Sequence, residues 1–187
     1  MNFTVADMSR EHIAAVAELE KECFSSPWSY EGLAEELSNP LSHFLVAVSE
    51  KHGELLGYIG VQEICGEAYV TNVAVTSAAR RCGVGRALLR AACGGAELRN
   101  CEFITLEVRA SNSPARVLYE SEGFKPVGVR KNFYTRPQED GVIYTKYFNV
   151  RSYDEDTCNR VVLRRNGGGR GRGRQESSVK RNSFAGQ

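Results

Sequence analysis

The stretch from Ala79 to Leu89, ARRCGVGRALL, sets Gly83 and Gly85 among Arg80, Arg81 and Arg86, directly before an apolar run with helical spacing. A helix N-terminus carries unpaired N–H groups and a partial positive charge, so it draws anions. Glycine lets the backbone come close to a ligand, and arginine adds charge-assisted hydrogen bonds. These residue types at this spacing point to a phosphate-bearing ligand. Two familiar phosphate loops do not fit. No lysine followed by Ser or Thr comes after the glycines, and the third glycine of a dinucleotide fingerprint would fall at Leu88. The pattern Arg80-x-x-Gly83-x-Gly85 remains, with a glycine-rich helix start that binds nothing as its plain alternative.

The elements around this loop follow from periodicity and punctuation. NFTVA reads as a short strand. A helix after Ser9 repeats Ile13, Val16, Leu19/Glu20 and Cys23 on one face, and FSSPWS ends it. A second helix, YEGLAEELSN, is capped by Ser29 and stops before Pro40. HFLVAVS, ELLGYIGVQEI and EAYVTNVAV form a three-strand meander that leads into the loop. The next helix, from about Gly83 to Leu98, turns Val84, Leu88, Ala91 and Leu98 to one side, and Gly94-Gly95 should fray its end. CEFITLEV is a strand, SNSPARVLYESEGF a capped helix with Pro114 in its first turn, and KPVGVR and VIYTKYFNV are the last strands. Asn112 and Tyr119 are seven residues apart, two helical turns, and so share a face. The order predicts an α+β fold, a mixed sheet with helices on both faces.

The totals bound the remainder. The chain has 187 residues, 42% hydrophobic and 25% charged, enough for one domain and a proper core. No basic segment followed by an apolar stretch opens it, and no apolar run is long enough to cross a membrane, so a cytoplasmic protein is expected. Six cysteines (23, 65, 82, 93, 101, 158) form no CxxC pair, and the three histidines have no metal spacing. Reduced thiols and no metal are the expectation. The net charge of +1 hides an asymmetry, for residues 151–187 hold nine basic and four acidic side chains. Residues 1–150 hold fifteen and nineteen. The chain therefore divides into a domain over 1–150 and a basic, Gly/Arg-rich tail over 151–187, with too little apolar content for a core. The plain reading of that tail is a solubilising extension; the other is a weak, salt-sensitive contact with RNA or ribosomes.

Four separated segments carry a family resemblance. NVAVTSAARRCGVGRALL resembles the acetyl-CoA pyrophosphate loop of the GNAT N-acetyltransferases. CFSSPWSYEGLAEEL, LEVRASNSPARVLYESEGF and RKNFYTRPQEDGVIY are similar to the RimI-type enzymes within them, which acetylate a protein N-terminus. The likeness covers about residues 3–147 and implies a GNAT fold, a mixed and mostly antiparallel sheet of about seven strands. It implies acetyl-CoA as co-substrate and a protein α-amine as acceptor, with a small-subunit ribosomal protein first among substrates. Val73, Ala74 and Val75 would pair with the pantetheine arm, and Arg81, Cys82, Gly83, Val84, Gly85 and Arg86 would wrap the pyrophosphate. Asn112 matches a cofactor-contacting asparagine. Glu107 would be the general base, a carboxylate beside Phe103 and Thr105 on a strand face. Tyr119 would protonate the departing thiolate. An α-amine has a pKa of about 7.7–8.0, so at pH 7.4 roughly a fifth to a third is already neutral, against about one lysine in a thousand. A modest base is therefore enough. Trp28, Tyr30 and Tyr134 are expected to pack the acceptor's first side chains, and Glu139 or Asp140 to attract its charge. The rival readings are an acetyltransferase of the same fold acting on lysine or a small-molecule amine, and a non-catalytic RNA- or ribosome-associated adaptor.

Overall fold

The computed structural model describes residues 1–148. Its elements in chain order are β1 (Phe3–Asp7), α1 (Ile13–Cys23), α2 (Tyr30–Leu37), β2 (Ser42–Ser49), β3 (Leu55–Ile64) and β4 (Glu67–Val75). There follow α3 (Val84–Leu98), β5 (Phe103–Arg109), α4 (Ser113–Ser121), β6 (Lys125–Thr135) and β7 (Gln138–Tyr147). Seven strands make one sheet in the order β1-β2-β3-β4-β5-β7-β6. Every pairing is antiparallel except β4 with β5. A parallel pair needs a long crossover, and α3 supplies it.

That parallel pair is short. Glu67, Ala68 and Tyr69 face Phe103, Ile104 and Thr105, and beyond them the two strands part. Among the described residues the β4 edge from Val70 to Val75 has no strand beside it, while its other edge stays paired with β3 as far as Val75. The sheet is thus split at its centre.

Two apolar layers hold the sheet. Ile13, Val16 and Leu33 of α1 and α2 pack on Phe44, Val46, Tyr58 and Ala74. On the opposite face, Leu88, Leu89, Ala92 and Ala96 of α3 and Tyr119 of α4 pack with Ile59, Ile104, Leu106 and Tyr144. Ser29 caps α2, its hydroxyl accepting the Gly32 N–H at 3.1 Å.

The structure departs from the periodicity in three places. Helix α3 runs unbroken through Gly94-Gly95, because buried Cys93 and Ala96 anchor the turn on either side. Leu98 does not share the buried face; it is 85% exposed in the last turn. The last two strands are longer than expected, and much of RKNFYTRPQED is paired strand, not loop, with Tyr134 opposite Glu139. Among the described residues, no helix is long and apolar enough to cross a membrane. Cys158, the basic tail over 151–187 and the end of the final expected strand at 149–150 lie outside the described residues.

Candidate active site

The split between β4 and β5 opens into two cavities. The larger, about 710 Å3, is floored by Val73, Ala74 and Val75 and walled by Arg80, Arg81, Gly83, Val84, Gly85 and Arg86. Gly83 stands at the helix N-cap with φ of +87°, a left-handed conformation that side chains with a Cβ resist. No side chain caps the start of the 15-residue α3, and its first residues, with their unpaired N–H groups, line the cavity. Gly85 faces Val75 and Leu118, where an added Cβ would stand at ordinary contact distance, 3.6 and 3.7 Å. Arg81 is exposed and, among the described residues, has no partner. Arg80 reaches back, its Nε donating to the Val75 carbonyl at 3.3 Å.

Two loop residues sit differently from the expectation. Cys82 is exposed and lines neither cavity. The Arg86 guanidinium turns along α3 to Glu122, 3.2 Å away, and to the Ser121 hydroxyl, also at 3.2 Å. Its side chain is thus committed to clamping α3 on α4, and only its backbone belongs to the helix mouth.

The smaller cavity, about 370 Å3, lies on the other side of the split. Phe24 and Ser25 from the α1–α2 turn, Val70 to Val73 of β4, Leu106 to Arg109 of β5, and Tyr134, Arg136 and Pro137 of the β6–β7 hairpin line it. The two cavities share Cys23, Phe24, Val73, Asn112, Ala115 and Tyr119, so they meet at the start of α4. Asn112 caps α4, its Oδ1 accepting the Ala115 N–H at 3.2 Å, which leaves its amide nitrogen available. Tyr119, two turns on, is 5% exposed, its ring packed against Phe124 and Tyr144. Its hydroxyl makes no hydrogen bond among the described residues, and burial pushes its pKa up to about 12. A proton donor with no protein partner stands where the cavities join.

Glu107 lines the smaller cavity, and its neighbours are polar rather than apolar. The Tyr69 hydroxyl donates to one carboxylate oxygen, and the Arg130 guanidinium donates to the other at 2.6 Å. Burial, then the bond to Glu107, push the Tyr69 hydroxyl's pKa well up, so it stays a donor. Neither Tyr69 nor Arg130 was visible from local spacing, since both reach Glu107 through strand pairing. Thr71 was missed as well. Its hydroxyl is buried without a partner among the described residues, at the bulge where the β3–β4 register shifts.

The expected acceptor residues divide. Tyr134 is buried on the cavity wall under the Arg109 guanidinium, 4.3 Å above its ring. Trp28 and Tyr30 do not line the cavity: Trp28 packs on the α1–α2 core and Tyr30 is exposed, whereas Phe24 and Ser25 take the wall. The acidic pair is already engaged. Glu139 accepts the Ser111 N–H and pairs with Arg109 at 3.2 Å, and both hold its carboxyl below the usual range. Asp140 is held down by Lys131, 2.6 Å away, and by the Asn132 N–H.

A sheet split at its one parallel pair, with a helix N-terminus at the mouth of the split and a protonated tyrosine within it, is the frame of an acyltransferase that holds two substrates side by side. The Acetyltransferase (GNAT) family model matches residues 13–124, and the chain belongs to that family; it is an N-acetyltransferase. A Bacillus subtilis (strain 168) relative is 39% identical over 140 residues, 74% of this chain and 91% of its own length. An Escherichia coli (strain K12) protein named ribosomal protein bS18-alanine N-acetyltransferase is 33% identical over 142 residues, 75% of this chain and 94% of its own. The crystal structure of the Escherichia coli ribosomal-protein-S18-alanine N-acetyltransferase superposes with a TM-score of 0.72 at 29% identity, covering 83% of this chain and 98% of that one.

Proposed function

We propose that the protein transfers the acetyl group of acetyl-CoA to the N-terminal α-amine of a protein, in the cytoplasm and by direct attack in a ternary complex. The substrate named for the Escherichia coli relative, ribosomal protein bS18, is the first candidate. The observation that carries this reading is the unpartnered Tyr119 hydroxyl at the junction of the two cavities.

Acetyl-CoA supplies an activated acetyl thioester, and the larger cavity fits it. The free edge of β4 at Val73, Ala74 and Val75 offers backbone groups to the pantetheine amides, as an added strand would. The N–H groups of Gly83, Val84, Gly85 and Arg86 and the free Arg81 offer donors to the pyrophosphate. Asn112 offers its amide to the arm. The smaller cavity takes the acceptor's first residues beside Tyr134, Phe24 and Ser25.

Glu107, directly or through a water, accepts the proton that the amine loses as its nitrogen bonds to the acetyl carbon. A backbone N–H of the splayed β4 edge near Val75 faces the oxyanion. As the carbon–sulfur bond breaks, Tyr119 gives its proton to the sulfur. No residue of this set is a covalent nucleophile.

Residues 1–150 form the catalytic domain in this reading. The tail over 151–187 supports at most a weak phosphate-directed contact with RNA or ribosomes.

The test is acetyl transfer to a bS18 N-terminal peptide, read by mass spectrometry. A lysine-containing peptide with a blocked N-terminus and the Tyr119→Phe enzyme run alongside. Acetylation of the free α-amine alone, with kcat lowered about 10²-fold in Tyr119→Phe, is the expected result. Reaction at the blocked peptide's lysine would make the enzyme a lysine acetyltransferase. RNA binding without turnover on either peptide would favour an adaptor.

A further inference from the structure

Glu20 lies in α1 with none of its surface exposed, in the apolar layer between that helix and the sheet. No cation pairs with it among the described residues. Its carboxylate is satisfied by three donors from three other parts of the chain. Oε1 accepts the Tyr58 hydroxyl of β3 and the Asn72 amide of β4, the latter at 3.0 Å. Oε2 accepts the backbone N–H of Trp28, in the α1–α2 turn, at 2.8 Å. Burial pushes the carboxyl's pKa up, and the three donors draw it back. A buried carboxylate without a counter-ion is costly, and an apolar side chain would pack in this layer at less cost. What an apolar residue could not do is accept the Trp28 N–H.

That bond matters for the cavity wall. Phe24 and Ser25, on the same turn, line the smaller cavity, and so does Asn72. Ser25 and Ser26 make no hydrogen bond among the described residues, and Pro27 has no N–H to give. The Glu20–Trp28 bond thus ties the end of the turn to α1, beside the packing of Phe24 and Trp28 on the apolar layer, and the same carboxylate holds Asn72 opposite.

We propose that Glu20 is a positioning residue for the acceptor: it pins the 24–28 turn against β4 and so sets the wall on which the peptide's first residues rest. The inference rests on reading the smaller cavity as the acceptor site.

The test uses the full chain and three variants. Glu20→Met removes the acceptor and keeps length and apolar packing. Tyr58→Phe removes a donor from the same carboxylate and leaves the turn bond in place. Glu20→Gln keeps one amide oxygen, so it loosens the network more mildly and still decides the matter if Glu20→Met does not fold. Trp28 is the sole tryptophan of the chain, so its emission reports the turn directly. Glu20→Met should raise the peptide KM about tenfold, with kcat at saturating peptide changed by less than about threefold, and shift Trp28 emission to the red. Glu20→Gln should move both readouts the same way by less, and Tyr58→Phe should leave both near wild type. Unchanged KM and emission in folded Glu20 variants would overturn the proposal, as would an equal KM rise in Tyr58→Phe. If the wild-type enzyme does not acetylate the peptide, the functional reading falls instead, and Trp28 emission still tests whether Glu20 holds the turn.

Discussion

Tyr119 is protonated wherever the enzyme would be assayed, because burial has moved its pKa to about 12. The rate should therefore show no alkaline decline from this group until pH nears that value. Glu107 is the proposed proton acceptor. Its replacement in Glu107→Gln should lower kcat/KM for an α-amine peptide about 10²-fold near neutrality. The deficit should shrink as pH climbs past the α-amine's pKa of about 7.7–8.0, where more of the acceptor arrives neutral. Rate–pH profiles of both enzymes check this; a constant deficit would remove Glu107 from proton transfer. The Asn112–Tyr119 pair was legible because Asn112 caps the helix that carries Tyr119, where spacing along the chain brings the two to the same cavities. The partners of Glu107 were not, since Tyr69 is 38 residues away and Arg130 is 23. Glu20 shows the same boundary: helical period put it on the buried face, but its donors lie as far as 52 residues off.

At the scale of elements, β3 and β4 touch most tightly at Gly57. A Cβ there would stand 2.6 Å from the Ala74 carbonyl oxygen and 3.2 Å from a Val75 methyl. Gly57→Ala should push β4 out where the donor cavity is floored, costing about 1–3 kcal/mol of stability. Acetyl-CoA affinity should fall with it; thermal melts and a binding titration read the two effects. Helices α3 and α4 meet through Glu122, which Arg90 grips at 2.7 Å and Arg86 at 3.2 Å. The bonds to Arg90 hold the Glu122 carboxyl below the usual range. A lowered folded pKa means stabilisation that is present above the ordinary carboxyl pKa and lost as pH falls through the lowered one. Both arginines are largely exposed, so solvent screens the pair and its contribution is small. Glu122→Gln should lower Tm only slightly near pH 7, which thermal melts read. That gap to wild type should narrow as pH falls through the lowered carboxyl pKa, where wild-type Glu122 becomes protonated as well. Most elements were legible from their caps and periods. The terminal hairpin was not, because Asn132 and Gly141 look like turn residues, whereas a register shift absorbs Asn132 and pairing with Arg109 of β5 absorbs Gly141, which leaves the turn to Arg136 and Pro137 alone.

The whole sheet behaves as two halves, β1–β4 and β5–β7, joined in hydrogen bonding by three residue pairs of β4 and β5 and spanned by α3. The meander of β2, β3 and β4 was legible from the succession of elements, but the place of β7 between β5 and β6 and the split were not. The split depends on where two strands thirty residues apart stop pairing, and neither sequence marks that point. Ligands in both cavities would bridge the split. A bisubstrate analogue, CoA joined through an acetyl linker to the α-nitrogen of a peptide, fills both cavities at once. At about 100 times its Kd it should stabilise the fold by about 2.7 kcal/mol, since it binds only the native state. For a unit of this size that is a Tm rise of roughly 5–10 °C. Amide exchange should slow most along Val70–Val75 and Leu106–Arg109, the edges facing across the gap. CoA alone should protect the β4 edge and leave Leu106–Arg109 open. Equal protection of both edges by CoA alone would mean that the two cavities are one site, and the separation of donor from acceptor would have to be redrawn.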